Sequence, residues 1–202
     1  MPNLREVARP LLVGAVVIAF GSSAAARGRT ETAVLAGGCY WGMESVFEHV
    51  KGVTDVTSGF AGGVKSGFGR SGERSGFAEA VRIRYDPSQV SYQQLLVIFF
   101  KVAHDPTQVD RQGPDVGPRY RSAIFPQNSA QRQIAGQYIA TLAASKRYAK
   151  PIATNLESGA FQAAEPSQQD YVRRHPKSNY VIVNDLPKLA ALRSTYPQYW
   201  VD

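Results

Sequence analysis

The chain has 202 residues, a formal net charge of +7 and 44% hydrophobic residues. This length and apolar content predict one globular domain that buries its own core, and they exclude an intrinsically disordered chain. The lysines and arginines are scattered, without a basic run and without a zinc-finger or helix-turn-helix pattern. We therefore expect a solubilising basic surface and no nucleic-acid partner.

The N-terminal residues have the pattern of a secretory signal peptide. Arg5 and Arg9 form a positively charged start, and residues 11–20 form an apolar run that is too short to span a bilayer comfortably. Residues 24–26 read Ala-Ala-Ala, which supplies a cleavage site. We expect a signal peptide at residues 1–26 and a periplasmic or secreted protein with no stable membrane association after cleavage. An uncleaved membrane anchor is the alternative.

The mature part, residues 27–202, mixes predicted strands and helices without regular alternation. This order favours a single α+β domain in which helices pack around a mixed β-sheet. Ser91 and Gln94 have the spacing of a capping box at the start of a helix. By hydrophobic periodicity, the predicted elements in chain order are strand 32–36, helix 40–50, strands 53–60 and 77–85, helix 92–102, strand 120–125, helix 129–147, strands 152–156 and 159–162, helix 166–174, a short apolar run 180–183 and helix 187–194.

Cys39 is the single cysteine of the chain, and it lies where a predicted strand meets a predicted helix. Gly37 and Gly38 precede it, so backbone N–H groups and the positive end of the helix are expected beside the sulfur. Both favour the thiolate and predict a lowered thiol pKa. An inert, buried cysteine is the alternative. In an exported protein, an unpaired cysteine indicates a reactive thiol or an intermolecular disulfide.

Glu79 occupies an unusual position in the predicted strand 77–85. The strand alternates strongly, and Glu79 shares its apolar side with Val81 and Ile83. A carboxylate on a core-facing position is unfavourable unless it is paired or protonated. Desolvation would raise its pKa, which suits a general acid. A buried glutamate paired with an arginine, or a strand end open to water, is the alternative.

Other chemistries find little support. His49, His104 and His175 are far apart in the sequence and lack metal-ligand spacing, so we expect no metal and no cofactor. The glycine-rich stretch 59–76 lacks the Lys-Ser/Thr of a phosphate-binding loop. No serine lies in a G-x-S-x-G motif, whereas a cysteine–histidine protease stays open because the fold could bring a histidine to the thiol. The long polar loop 103–119 is expected to be functional.

A set of ordered motifs resembles the A-type peptide methionine sulfoxide reductases. Residues 38–42, Gly-Cys-Tyr-Trp-Gly, are similar to the G-C-F-W-G signature of that family. The match runs from about residue 32 to about residue 175, and several ordered motifs over that length are specific. The other matching stretches, in the order of the family, are 58–63, 75–81, 85–87, 104–108, 111–117 and 120–125.

The resemblance implies the two-layer, ferredoxin-like α+β core of this family and assigns four catalytic residues. Cys39 falls on the nucleophile, and Glu79 falls on the acid that protonates the sulfoxide oxygen. Tyr120 falls on a tyrosine whose hydroxyl group holds that oxygen. Asp115 falls on the aspartate that supports the site.

The resemblance also implies a substrate pocket, in which this chain departs from the family. Tyr40 and Trp41 fall on the aromatic pair that holds the substrate methyl group, and Tyr40 replaces the usual phenylalanine. Phe77 replaces a common histidine. The loop between residues 63 and 79 is shorter than usual, and Phe68, its one aromatic residue besides Phe77, is the candidate for the place of a second oxygen-binding tyrosine. Loss of that donor would lower the rate by roughly 10- to 1000-fold.

The function implied is reduction of methionine sulfoxide, free or in proteins, with specificity for the S epimer. Attack by Cys39 would leave a sulfenic acid. The family's common resolving cysteine near the C-terminus is absent here. We therefore expect a monomer whose partner is an external thiol reductant, either a thioredoxin-like or glutaredoxin-like protein or a small thiol. Two alternatives are a peroxide-reactive thiol protein and a module that binds oxidised methionine without turnover.

Overall fold

The computed structural model describes residues 30–63 and 76–202, so the predicted signal peptide and Phe68 lie outside the described residues. Among the described residues, no helix has the length and apolar character needed to cross a membrane. The strands are β1 (Glu31–Gly37), β2 (Val53–Gly62), β3 (Phe77–Tyr85), β4 (Arg111–Gln112), β5 (Asp115–Val116), β6 (Ser122–Ile124), β7 (Asn155–Leu156) and β8 (Phe161–Ala163). The α-helices are α1 (Tyr40–Glu48), α2 (Tyr92–Ile98), α3 (Ser129–Ala144), α4 (Tyr171–Arg174) and α5 (Leu186–Thr195).

Six strands form one mixed sheet in the order β7-β6-β1-β3-β2-β8. Its neighbours are antiparallel except for the parallel pair β6 and β7. The central strand β3 pairs with β1 on one side, where Val81 faces Leu35. On its other side, β3 pairs with β2 in a register that places Glu79 beside Phe60. The predicted single-domain α+β architecture is confirmed, and it puts Glu79 in the middle of the sheet.

The main core lies between one face of the sheet and the helices. Val81 and Ile83 of β3 pack in one buried cluster with Phe47 of α1 and Leu96 of α2. Burial of each such side chain contributes about 1.5–3 kcal/mol. The opposite face of β3 is buried as well, because Phe125 and the small side chains around it form a second cluster. The sequence predicts that one face of β3 is apolar and the other polar, whereas the structure buries side chains on both faces.

Several boundaries differ from the prediction. Tyr120 lies in a 3-10 turn, Pro118–Tyr120, and not in a strand, because Pro118 opens that turn. The predicted helix 166–174 is interrupted at Asp170, whose φ of 52° lies in the left-handed region. The apolar run 180–183 belongs to a π-helical turn, Val181–Asp185, which continues into α5. The predicted polar loop 103–119 contains the small hairpin of β4 and β5.

The C-terminal residues return to the C-terminal end of α1. The backbone N–H of Val201 donates to the carbonyl of His49 at 3.0 Å, and Lys51 N–H donates to the carbonyl of Tyr199 at 2.7 Å. The indole of Trp200 stacks on the imidazole of His49, with ring centres 4.7 Å apart. The C-terminus is therefore held at the end of α1 that is farther from Cys39.

Candidate functional site

Cys39 caps the N-terminal end of α1, directly after β1. The preceding Gly38 has a φ of 93°, and a Cβ atom there would overlap the side chain of Gln112. Glycine is thus required both for the backbone conformation and for the close approach of β4. The predicted strand-to-helix position of Cys39 is confirmed, and its side chain is buried, with 7% of the residue exposed.

The predicted direction of the thiol pKa is wrong. Burial, together with the negative charges of Glu79 and Asp185, raises the pKa of Cys39 to about 12, whereas the hydrogen bond from the backbone of Trp41 and the Tyr180 hydroxyl group act in the opposite direction. The start of the helix favours the thiolate, as expected, but the free-energy cost of removing the thiolate from water is larger. Cys39 is therefore a protonated thiol at neutral pH in the unliganded protein.

Glu79 lies beside the first residue of α1, and 4% of it is exposed. Its Oε2 accepts a hydrogen bond from the backbone N–H of Tyr40 at 3.2 Å. Its Oε1 lies 3.1 Å from Nη2 of Arg119, a side chain that is half exposed. Burial raises the pKa of the Glu79 carboxyl group and Asp115 raises it further, while the Tyr40 N–H and Arg119 lower it. Glu79 is therefore a buried acid, as expected. It is also paired with an arginine, which was the alternative interpretation.

Tyr180 joins two of the predicted residues and was missed by the sequence analysis. Its hydroxyl group donates to Oδ2 of Asp115, and the same hydroxyl group lies beside the Cys39 sulfur and lowers the thiol pKa. Burial raises the pKa of Tyr180 itself. The signal available in the sequence was a tyrosine hydroxyl group at the start of an apolar run, where a polar atom needs a partner.

Tyr120 is half buried and close to the same charges. Burial raises the pKa of its hydroxyl group, and the negative charges of Glu79, Asp115 and Cys39 raise it further. The guanidinium group of Arg119 lies over its ring, 5.3 Å from the ring centre. Tyr120 therefore keeps its proton and stays a hydrogen-bond donor beside Glu79 and Cys39.

Tyr40 and Trp41 form an aromatic wall next to Cys39. Their ring centres are 6.3 Å apart and their planes are tilted by 51°. Tyr171 of α4 stacks on the Trp41 indole with ring centres 3.7 Å apart. Gln168 accepts hydrogen bonds from both members of the pair, at 3.4 Å from the Tyr40 hydroxyl group and 3.2 Å from Nε1 of Trp41. Neither Gln168 nor Tyr171 was predicted.

Asp185 is a second buried carboxyl group near Cys39 that the sequence analysis missed. It is fully buried, and neither of its oxygens has a hydrogen-bond partner among the described residues. Nζ of Lys188 lies 3.8 Å from Oδ1. Burial raises the pKa of Asp185 to about 6. A Cβ atom on Gly42, in the first turn of α1, would overlap this carboxylate.

The histidines do not form a metal centre within the described part of the chain, where no group of three or more His, Cys, Asp and Glu residues could hold a metal ion. His104 is structural: its Nδ1 lies 2.8 Å from the carbonyl oxygen of Phe99, and its Nε2 lies 2.7 Å from Oγ of Ser122. Burial lowers its pKa to about 4, so the imidazole is neutral at pH 7.

The chain is similar to known proteins in both sequence and fold. A family model described as peptide methionine sulfoxide reductase matches residues 31–199. The chain is 48% identical over 176 residues to peptide methionine sulfoxide reductase MsrA 2 of Mesorhizobium japonicum, covering 83% of this chain and 88% of that protein. It is 51% identical over 178 residues to MsrA 2 of Synechocystis, covering 86% of this chain and 83% of that protein. Among solved structures, it is similar to methionine sulfoxide reductase A of Corynebacterium diphtheriae, with a TM-score of 0.62 and 35% identity over 75% of this chain and 77% of that one.

Proposed function

Because the chain belongs to the peptide methionine sulfoxide reductase family, we propose that Cys39 and Glu79 reduce the S epimer of methionine sulfoxide, free or in proteins. One observation supports this assignment above the others. The Tyr40 N–H that begins α1 donates to Glu79, while Cys39 caps the same helix end. A buried nucleophile and a buried acid thus share one helix terminus beside an aromatic wall.

The oxygen transfer balances with these two residues. As the Cys39 sulfur bonds to the sulfoxide sulfur, the protonated Glu79 gives its proton to the sulfoxide oxygen, and the thiol proton passes to the carboxylate that Glu79 has become. The S–O bond then breaks, and the hydroxyl group bonds to the Cys39 sulfur as the bond between that sulfur and the substrate sulfur breaks. Methionine leaves with its sulfur reduced by two electrons, and Cys39, oxidised by two electrons, becomes a sulfenic acid.

Three other residues prepare the site in this proposal. Tyr120 holds the sulfoxide oxygen through its hydroxyl group, since its raised pKa keeps it a donor. Asp115 acts through Tyr180, which contacts the nucleophile. The aromatic pair described above receives the substrate methyl group. Donors directed at a developing charge each contribute roughly 10- to 1000-fold in rate. The place of Phe68 as a substrate-binding residue stays a prediction, since it lies outside the described residues.

The catalytic cycle needs a second thiol. Cys39 is the single cysteine of the chain, so its sulfenic acid cannot condense with a second cysteine in the same chain. We propose that a thioredoxin-like or glutaredoxin-like protein, or a small thiol, attacks it to form a mixed disulfide that a second thiol then resolves. We further propose that the protein acts as a monomer, in the periplasm or outside the cell, after removal of residues 1–26 and without stable membrane association.

A stereospecific assay tests the proposed function. The purified protein is supplied with dithiothreitol and with N-acetylmethionine S- or R-sulfoxide, and Cys39→Ser serves as the control. We expect multiple turnovers with the S epimer and none with the R epimer or with Cys39→Ser. Intact-mass analysis after one turnover without reductant should find one added oxygen on Cys39. Methionine formation with Cys39 unmodified would contradict the scheme.

The same assay separates the two alternatives. If the protein were a module that only binds oxidised methionine, the Cys39→Ser variant would still bind the S-sulfoxide, and the unmodified protein would form no methionine. A peroxide-reactive thiol protein would be oxidised by hydrogen peroxide much faster than by sulfoxide.

Sequencing the N-terminus of the protein recovered from the periplasmic fraction tests the proposed cleavage and location.

A further inference from the structure

A segment behind the aromatic wall, residues 164–174, is tied tightly to β2 and to itself. The backbone N–H of Ser58 donates to Oε1 of Gln169 at 2.8 Å, and Nε2 of Gln169 donates back to the Ser58 carbonyl at 3.0 Å. Nη2 of Arg174 donates to the carbonyl of Ser167 at 2.6 Å and closes the segment. These bonds hold the 164–174 segment in place independently of Gln168.

Gln168 is the residue of this segment that reaches the aromatic wall. The Trp41 indole N–H and the Tyr40 hydroxyl group both point to the same atom of Gln168, Oε1. An indole N–H can only donate, so the atom that faces it must be the amide oxygen, whose two lone pairs can serve two donors. The Tyr40 hydroxyl group, which replaces the hydrogen of the phenylalanine usual in the signature, is therefore used in this bridge.

Other contacts restrain each ring separately. Tyr171 stacks on the face of the Trp41 indole with an interplanar angle of 8°, and the Tyr180 ring lies nearly perpendicular to the indole with ring centres 5.7 Å apart. Phe60 meets the Tyr40 ring edge-on, with ring centres 5.7 Å apart. Among these neighbours, Gln168 is the one that hydrogen-bonds to both rings, and it therefore ties them to each other.

We propose that Gln168 is a positioning residue that fixes the spacing of Tyr40 and Trp41, so that the pocket accepts a methyl group on the substrate sulfur and discriminates against a larger alkyl group. This inference rests on the proposed function, in which these two rings receive the methyl group. A hydrophobic pocket distinguishes one methylene group by roughly 10- to 200-fold when its walls are held rigidly. Without the bridge, the two rings can move apart and that discrimination falls.

The experiment compares methionine S-sulfoxide with ethionine S-sulfoxide in four variants. Gln168→Ala removes the bridge, Gln168→Glu keeps acceptor oxygens for both donors, and Tyr40→Phe removes one donor. Gln133→Ala, on the exposed side of α3, is the matched control. Gln168→Ala should raise KM for methionine sulfoxide with little change in kcat and should lower the methyl-over-ethyl preference by about tenfold. Gln168→Glu should restore most of the preference, Tyr40→Phe should lose part of it, and Gln133→Ala should match the unmodified protein.

A binding measurement makes the two proposals separable. In a Cys39→Ser, Trp200→Phe background, Trp41 is the remaining tryptophan, and its fluorescence reports sulfoxide binding without turnover. We expect Gln168→Ala to weaken methionine sulfoxide binding and to reduce the methyl-over-ethyl preference in this assay. An unchanged preference and KM in Gln168→Ala would overturn the role of Gln168 while leaving sulfoxide reduction intact. If the unmodified protein binds the sulfoxide selectively but never forms methionine, the proposed function is wrong. The role of Gln168 is then tested by the methyl-over-ethyl preference in binding.

Discussion

The hydroxyl group of Tyr180 donates a hydrogen bond to the carboxylate of Asp115, a residue 65 positions earlier in the chain. The same hydroxyl group lies beside Cys39 and lowers the pKa of the thiol. The small hairpin of β4 and β5 is thereby connected to the nucleophile through the turn that precedes α5. A residue from the C-terminal part of the chain thus joins the predicted catalytic residues, which all come from the first 120 residues.

Tyr180→Phe should make Cys39 less reactive. The variant loses the hydroxyl group that lowers the thiol pKa, so iodoacetamide alkylation at a fixed pH between 7 and 10 should be slower. A hydrogen bond to a charged group contributes about 1.5–3 kcal/mol, so kcat/KM should fall by roughly 10- to 100-fold. Tyr92→Phe is the control, since the buried Tyr92 hydroxyl group has no hydrogen-bond partner in the described part of the chain. Equal alkylation profiles for the two variants would contradict the role of Tyr180.

Asp185→Asn should act in the opposite direction on the same thiol. Asp185 is ionised above its pKa of about 6, and its negative charge disfavours the Cys39 thiolate. Neutralising it should increase the fraction of thiolate at a given pH. Alkylation rates at fixed pH values from 7 to 10, all below the thiol pKa of about 12, report this fraction, and Asp185→Asn should react faster than the unmodified protein at each of them. Slower alkylation of Asp185→Asn would contradict the role of Asp185.

Glu79→Gln should trade activity for stability. Because the folded-state pKa of Glu79 is raised, the protonated acid that the reaction needs is present below this pKa and is lost as the pH rises through it. The substitution removes the proton donor, so sulfoxide reduction should fall strongly at every pH. It also removes a buried carboxylate that is unfavourable once ionised, so Tm at pH 8 should rise. Turnover by Glu79→Gln close to that of the unmodified protein would exclude Glu79 as the acid.

Glu44→Gln should stabilise the protein at high pH. Burial raises the pKa of Glu44 to about 7, above its value in the unfolded chain. The folded state therefore binds more protons between about pH 4.5 and pH 7, and its stability falls as the pH rises through that range. The glutamine should remove up to about 3 kcal/mol of this loss, since one pKa unit corresponds to about 1.4 kcal/mol. Urea denaturation at pH 5 and pH 8 measures it, and an equal effect at both pH values would contradict the assignment.

The reacting residues were predictable from local patterns. Cys39 stands at a strand-to-helix junction that glycines and periodicity mark, and Glu79 breaks the alternation of a strong strand. Both signals span fewer than ten residues, so they survive without knowledge of tertiary packing. The α+β class followed from the order of such segments, and motif resemblance supplied Asp115 and Tyr120.

The remaining parts of the site depend on packing between distant segments. Tyr180 and Gln168 reach the site from the C-terminal third of the chain, and no spacing rule connects them to Cys39. The direction of the Cys39 pKa failed for the same reason. The effect of the helix start depends on neighbouring residues and can be predicted from the sequence, whereas desolvation of the thiol depends on how distant segments of the chain bury Cys39.

The contact of the C-terminus with the far end of α1 has a practical consequence. Tyr199 and Val201 bond to the backbone around His49, and ten residue steps at 1.5 Å each along α1 separate His49 from Cys39 by about 15 Å. An affinity tag fused after Asp202 would emerge beyond this anchor. Protein immobilised on a solid support through such a tag should keep the Cys39 site facing the solution. Oxidised polypeptides and the reductant that regenerates Cys39 should then both reach it.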